Sequence, residues 1–115
     1  MSTPVEIRAP RGARRFEIVW DDDRTTSYEH VVLRALCPCA HCQGHNGPIQ
    51  WVNGTEEAAP SGLELADVSE VGQYAIGLTW ADGHSTGIYT YRFLLALASA
   101  EGLTREAQRA LTFER

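Results

Sequence analysis

Phe16, Ile18 and Trp20 alternate with Glu17 and Val19, a period of two that predicts a half-buried strand. Asp21-Asp22-Asp23 follows as a turn, and Arg24 to Tyr28 return as a partner strand. Val31, Val32, Leu33, Ala35 and Leu36 then suit a short helix that delivers the chain to Cys37. Residues 43 to 62, rich in Gly, Asn, Pro and Glu, read as an irregular excursion. Leu63 to Val68 predicts another strand, although its alternation fails at Asp67.

The second half carries a cleaner pattern. Tyr74, Ile76, Leu78 and Trp80 alternate with Ala75, Gly77 and Thr79; Asp82-Gly83 signals a tight turn, and His84 to Tyr89 form the returning strand. Tyr91 to Ala100 is apolar nearly all round, which predicts a helix buried on most sides, with Gly102 placed to end it. Thr104 to Phe113 reads as a terminal helix with Thr104 as its N-cap. Aligning Trp20 with Trp80 also matches Asp22 with Asp82, Thr25 with Ser85, and Thr26 with Thr86. The expected fold is therefore α+β: one small domain, two hairpin-helix units around a single core. That domain is expected over residues 14–115, behind a flexible N-terminal segment, residues 1–13.

Composition narrows the setting. A chain of 115 residues, 43% hydrophobic, supports one modest core and no more. The net charge is -5, every basic residue is arginine, and only Arg11, Arg14 and Arg15 cluster. That is a poor electrostatic footprint for nucleic acid, and no such partner is expected. The first ten residues lack an apolar leader pattern, and the longest apolar run, Phe93 to Ala98, is far short of a membrane span. A cytoplasmic, reducing location is expected, with no membrane partner, and Asn53-Gly54-Thr55 is then not a glycosylation site.

In that setting the three cysteines, all within Cys37-Pro38-Cys39-Ala40-His41-Cys42, point to metal. Thiols this close do not pair easily in relaxed disulfide geometry, and an odd count leaves one over. As thiolates they are soft ligands, and one imidazole completes the tetrahedral Cys3His shell that zinc prefers. His41, His45 and His84 compete for the fourth place. His41 sits between ligands and His45 among glycines, whereas a hairpin anchors His84, so His84 is favoured. Iron or an iron–sulfur cluster suits the same thiolates. Free buried thiols and a Cys39-x-x-Cys42 redox pair are weaker readings, the latter because the pair follows a helix instead of opening one. Gly83-His84-Ser85-Thr86-Gly87 fits the Gly-x-Ser-x-Gly pattern, but it opens a hairpin strand and no histidine follows it. Gly87 reads instead as a small strand residue that makes room for close packing. Asp22, Asp23 and Asp82 read as turn formers, so no acid–base pair stands out and the chain is not expected to be an enzyme.

Leu33-Arg34 before the cysteine cluster, together with Trp80-Ala81-Asp82-Gly83-His84-Ser85-Thr86-Gly87-Ile88-Tyr89, resembles the gamma-butyrobetaine hydroxylase-like N-terminal domain, a domain of unknown function. The resemblance covers roughly residues 14 to 100. In the hydroxylases the domain precedes a dioxygenase and binds zinc through three cysteines and a histidine. Carried over by motif, the ligands are Cys37, Cys39, Cys42 and His84. No dioxygenase half follows here, so the resemblance implies no iron, 2-oxoglutarate or carnitine chemistry. Small bacterial relatives keep segments like Gln43-Gly44-His45 and Asp82-Gly83-His84 while replacing the cysteines. Similar domains fused to iron–sulfur carrier proteins give the alternative, an accessory in cluster assembly or iron handling. The expected function is a non-catalytic, zinc-binding interaction or accessory module, monomeric or weakly self-associating, with a protein partner.

Overall fold

The computed structural model describes residues 2–10, 12–44, 47–57 and 60–114. The first alternating run forms β2 (Arg15–Trp20), which buries Phe16, Ile18 and Trp20 completely. β2 is the middle strand of an antiparallel meander, with β1 (Pro4–Arg8) on one side and β3 (Thr25–Glu29) on the other. Helix α1 (His30–Ala35) follows directly and places Val32, Leu33 and Ala35 inside. The second half repeats this plan. β6 (Ala75–Trp80) lies between β5 (Leu65–Val71) and β7 (Gly87–Thr90), and α3 (Tyr91–Leu97) follows β7. The α+β fold of two units around one core is thus present, each unit a three-stranded meander plus a helix.

The two units exchange contacts reciprocally. The Tyr28 hydroxyl on β3 donates to the Leu94 carbonyl of α3 at 2.7 Å, and the Tyr89 hydroxyl on β7 donates to the Leu33 carbonyl of α1 at 2.5 Å. Trp20 meets Tyr91 edge-on at 6.0 Å, and Trp80 meets His30 edge-on at 5.6 Å. Each strand pair therefore lies against the other unit's helix, and the shared core includes Trp20, Trp80, Tyr28, Tyr89, Leu33, Leu36, Leu94 and Leu97. This is an internal pseudo-twofold arrangement, in which neither unit buries its apolar face alone.

Four expectations need correction. Residues 4–8, placed in a flexible segment, form β1, paired Ile7↔Ile18 with β2. The outer edge of β2 carries backbone donors and acceptors that need partners, and half-buried Ile7 packs on the core. Residues 43–62, read as irregular, contain β4 (Ile49–Gln50) and two short 3-10 turns. The terminal helix stops early: α4 spans Arg105–Arg109, and the chain then extends as β8 (Thr112–Phe113) against β4. Its N-cap is as expected, with the Thr104 hydroxyl accepting from the Ala107 N–H.

The fourth correction concerns the repeat. Ile18 pairs with Thr26, but Leu78 pairs with Gly87, so Thr26 corresponds to Gly87 and not to Thr86. The two turns match as far as Arg24 and His84, and the second unit takes up one extra residue between His84 and β7. Trp20 Nε1 donates to the Thr26 hydroxyl at 2.9 Å, whereas buried Trp80 Nε1 has no acceptor among the described residues. Glycine stands where that hydroxyl would be, and the site described next requires it there. No helix among the described residues is long and apolar enough to cross a membrane.

Candidate metal centre

Helix α1 ends at Ala35, and the chain turns through Leu36 to bring Cys37 into the core, fully buried. Pro38 fixes its own φ and stiffens the step to Cys39. Cys39 then stands at the N-cap of α2 (Ala40–Gln43), a single turn in which the N–H groups of Cys42 and Gln43 both donate to its carbonyl. Thus Cys39-x-x-Cys42 does open a helical turn, which the sequence did not suggest. The turn closes at Gly44, whose φ of 79° suits glycine.

The Gln43 side chain fastens this loop. Its Nε2 donates to the carbonyls of Cys37 (3.0 Å) and Gln50 (2.9 Å), while its Oε1 accepts from the Gln50 N–H (3.1 Å). One amide therefore ties the thiol loop to β4 and to its own start.

His84 arrives from the other unit. It sits in the turn between β6 and β7, where its N–H donates to Asp82 Oδ1 at 3.1 Å and its carbonyl accepts from the Trp80 N–H. Gly83 supplies the positive φ of 94° that this turn needs. His84 Nε2 then lies 3.5 Å from Cys37 Sγ, 3.7 Å from Cys39 Sγ and 3.5 Å from Cys42 Sγ. All four ligand atoms fall within 4.8 Å of one another. No other such group occurs among the described residues. His41 is outside the set, its ring 6.2 Å from that of His84, and His45 lies outside the described residues.

A simple test asks whether one ion fits. A tetrahedron built from metal–sulfur bonds of about 2.3 Å and metal–nitrogen bonds of about 2.0–2.1 Å has nitrogen–sulfur edges of about 3.5 Å. The three observed separations match that edge. The room for it comes from Gly87, where a Cβ would stand only 3.0 Å from Cys37 Sγ.

Without an ion, the surroundings push the three thiols in different directions. Burial pushes the Cys37 thiol up. Burial and the neighbouring Cys37 sulfur push Cys42 up further. Burial acts the same way on Cys39, but hydrogen bonds from the Thr86 hydroxyl and the Cys42 N–H outweigh it and bring that thiol down. His84 is held below the usual imidazole range by burial and by the Arg34 cation, so it stays neutral, the form that ligates.

In the sequence alone Arg34 and Gln43 stand as motif residues with no assigned role. Thr86 stands there in the repeat match and in two motif segments, likewise without a role. The signal for Gln43 was its place directly after the last cysteine, where a loop needs a backbone-like partner. Ser85 is exposed in a hairpin turn, so the Gly-x-Ser-x-Gly match has no strand-to-helix elbow.

Comparison with known proteins agrees with the motif reading. The family described as gamma-butyrobetaine hydroxylase-like, N-terminal, matches residues 7–95. A crystal structure of a protein of unknown function from the DUF971 family of Acidithiobacillus ferrooxidans is 35% identical, with a TM-score of 0.64. The alignment covers 84% of this chain and 93% of that one. Two solution NMR structures, each 27% identical, give TM-scores of 0.68 and 0.61 over 88% and 87% of this chain, and 72% and 75% of theirs. No match is found among curated proteins.

Proposed function

The chain belongs to the gamma-butyrobetaine hydroxylase-like N-terminal family, and on that basis we propose that it is a non-catalytic module whose Cys37, Cys39, Cys42 and His84 hold one structural zinc ion. The observation that carries the reading is the set of three near-equal nitrogen–sulfur separations, which match the edges that zinc bond lengths would give in one tetrahedron. Four protein ligands leave no open position for water or substrate, which separates structural zinc from catalytic zinc. The ion would join the thiol loop after α1 to the turn between β6 and β7, one ligand segment from each unit. Its chemistry there is cross-linking: it supplies four bonds between segments far apart in the chain. The working role is then to present a protein partner with a surface whose two halves cannot part.

Iron–sulfur assembly, the alternative raised by the sequence, has less support. Ligands of a cluster reach different iron atoms and spread wider than the edges of one tetrahedron. The test is elemental analysis and an absorption spectrum of the reduced, untagged protein. One zinc per chain and no visible absorption are expected, with Cys39→Ser losing stoichiometric zinc. Chelation should lower the melting temperature steeply, since structural zinc contributes about 10–16 kcal/mol of apparent binding free energy in small peptides. A coloured, iron-containing protein, or one with no metal at all, would refute the proposal.

A further inference from the structure

The pseudo-twofold arrangement supplies an internal control for the metal site. The turn Trp20 to Arg24 and the turn Trp80 to His84 have the same backbone plan: the tryptophan N–H donates to the carbonyl four residues on, and the aspartate between accepts the N–H two residues on. Beyond that they differ. Asp22 takes Arg24 from its own turn, with Arg24 Nε at 2.8 Å, and reaches no helix. Asp82 instead receives both arms of Arg34 on α1, at 3.2 Å and 3.0 Å. Arg34 also donates to the Gly62 carbonyl at 3.1 Å, and its guanidinium stands 5.8 Å over the Trp80 ring.

On the half without thiols, the partners of this device are missing. Counting on from the Leu33–Leu94 equivalence, Leu95 stands for Arg34 and Ala98 for Cys37. The fold thus builds the turn without the clamp where there is no metal centre, and with the clamp where there is one. We infer that Arg34 and Asp82 form a latch that holds His84 over the thiol loop before metal arrives, a role that rests on the metal reading above.

The physical case is preorganisation. The latch is a two-pronged charge-assisted contact in which Arg34 is the sheltered partner, its side chain 19% exposed, and Asp82 lies at the surface. It fixes the turn to α1, from whose end Cys37 departs. His84 therefore need not be ordered at the expense of metal binding. Arg34 and Asp82 touch no ligand atom, so they are positioning residues.

The experiment measures zinc affinity by competition with a chromophoric chelator, and the melting temperature of the metal-free protein, for wild type, Arg34→Lys, Asp82→Asn, Asp82→Ala and Asp22→Ala. Arg34→Lys and Asp82→Ala should weaken zinc binding about 10–100-fold. Asp82→Asn should be milder, because an amide oxygen still accepts the His84 N–H. Asp22→Ala, the same position on the other half, should bind zinc as wild type does. Cobalt substituted into Arg34→Lys should keep the wild-type spectrum, because the ligands themselves are unchanged. Should Asp82→Ala fail to fold, Arg34→Lys decides. Variants that melt lower without metal yet bind zinc at wild-type affinity would overturn the latch and leave the zinc site standing. Wild-type protein that binds no zinc would overturn both.

Discussion

Gly87→Ala adds one methyl group at the point where the fold meets the candidate metal centre. The new Cβ would lie 3.0 Å from Cys37 Sγ and 3.0 Å from the Tyr89 ring. Ordinary van der Waals contact needs several tenths of an ångström more, so one neighbour must move. Both are fully buried, and the Tyr89 hydroxyl is held by the Leu33 carbonyl, so neither yields easily. Overpacking of this kind costs about 1–3 kcal/mol. Against it stands a gain of about 0.4–1 kcal/mol from restricting the unfolded chain, since Gly87 has no positive φ to forbid alanine. The clash wins, by about 1–2 kcal/mol, which lowers the melting temperature by about 4–8 °C in a domain of this size. Because Cys37 Sγ is one of the displaced atoms, zinc affinity should also fall, on the order of tenfold. Thermal melts of the zinc-loaded protein and chelator competition read the two effects. Gly77→Ala is the control: its Cβ meets the Ser69 hydroxyl at 3.2 Å, which can swing away, so both readings should stay close to wild type. A Gly87→Ala protein that melts and binds zinc like wild type would refute the packing argument.

The reciprocal tyrosines should prove unequal. The Cys37 N–H goes to Arg34, leaving the Leu33 carbonyl dependent on Tyr89, whereas Leu94 keeps the Ala98 N–H besides Tyr28. Tyr89→Phe should therefore cost about 1–3 kcal/mol and Tyr28→Phe about 0.5–1.5 kcal/mol in urea melts, and the reverse order would contradict the accounting. His30 is buried with Nδ1 on the Leu63 carbonyl and no partner for Nε2 among the described residues, and burial holds its pKa below the usual value. A depressed pKa means the folded state resists the proton, so this stability is complete above about pH 6.5 and declines as pH falls below it. His30→Phe should flatten the acid limb of melting temperature against pH, and an unchanged slope would exclude His30 as its source. Gln43→Ala removes two hydrogen bonds that tie the thiol loop to β4 and a third to the Cys37 carbonyl. Faster amide exchange across residues 47–50 and weaker zinc binding should follow, and unchanged exchange would show the loop fastened by other contacts.

Some of this was legible without coordinates because it is local. Period-two alternation marked β2 and β6, since a half-buried strand must alternate; Gly102 marked the end of the helical stretch that begins at Tyr91, and Thr104 the start of the last helix, through turn and capping chemistry. The cysteine spacing pointed to a cluster of soft ligands that could hold a metal ion, because three thiols in six residues have few other uses. β1 and β4 were not legible: each is a short strand that owes its conformation to a distant partner's backbone, β2 for one and β8 for the other. The slip of the repeat at Thr26 was hidden too, since residue matching cannot show where a turn takes up an extra residue.

The sequence by itself determined the two hairpin-helix units and the supply of soft ligands, because both follow from chemistry within a few residues. Which histidine completes the set was decided by the tertiary structure. His84 reaches the thiols only because the second unit lays its turn across the end of the first unit's helix, and because a glycine on β7 leaves space for Cys37. Those two conditions depend on contacts between residues far apart in the chain, and no local pattern encodes them.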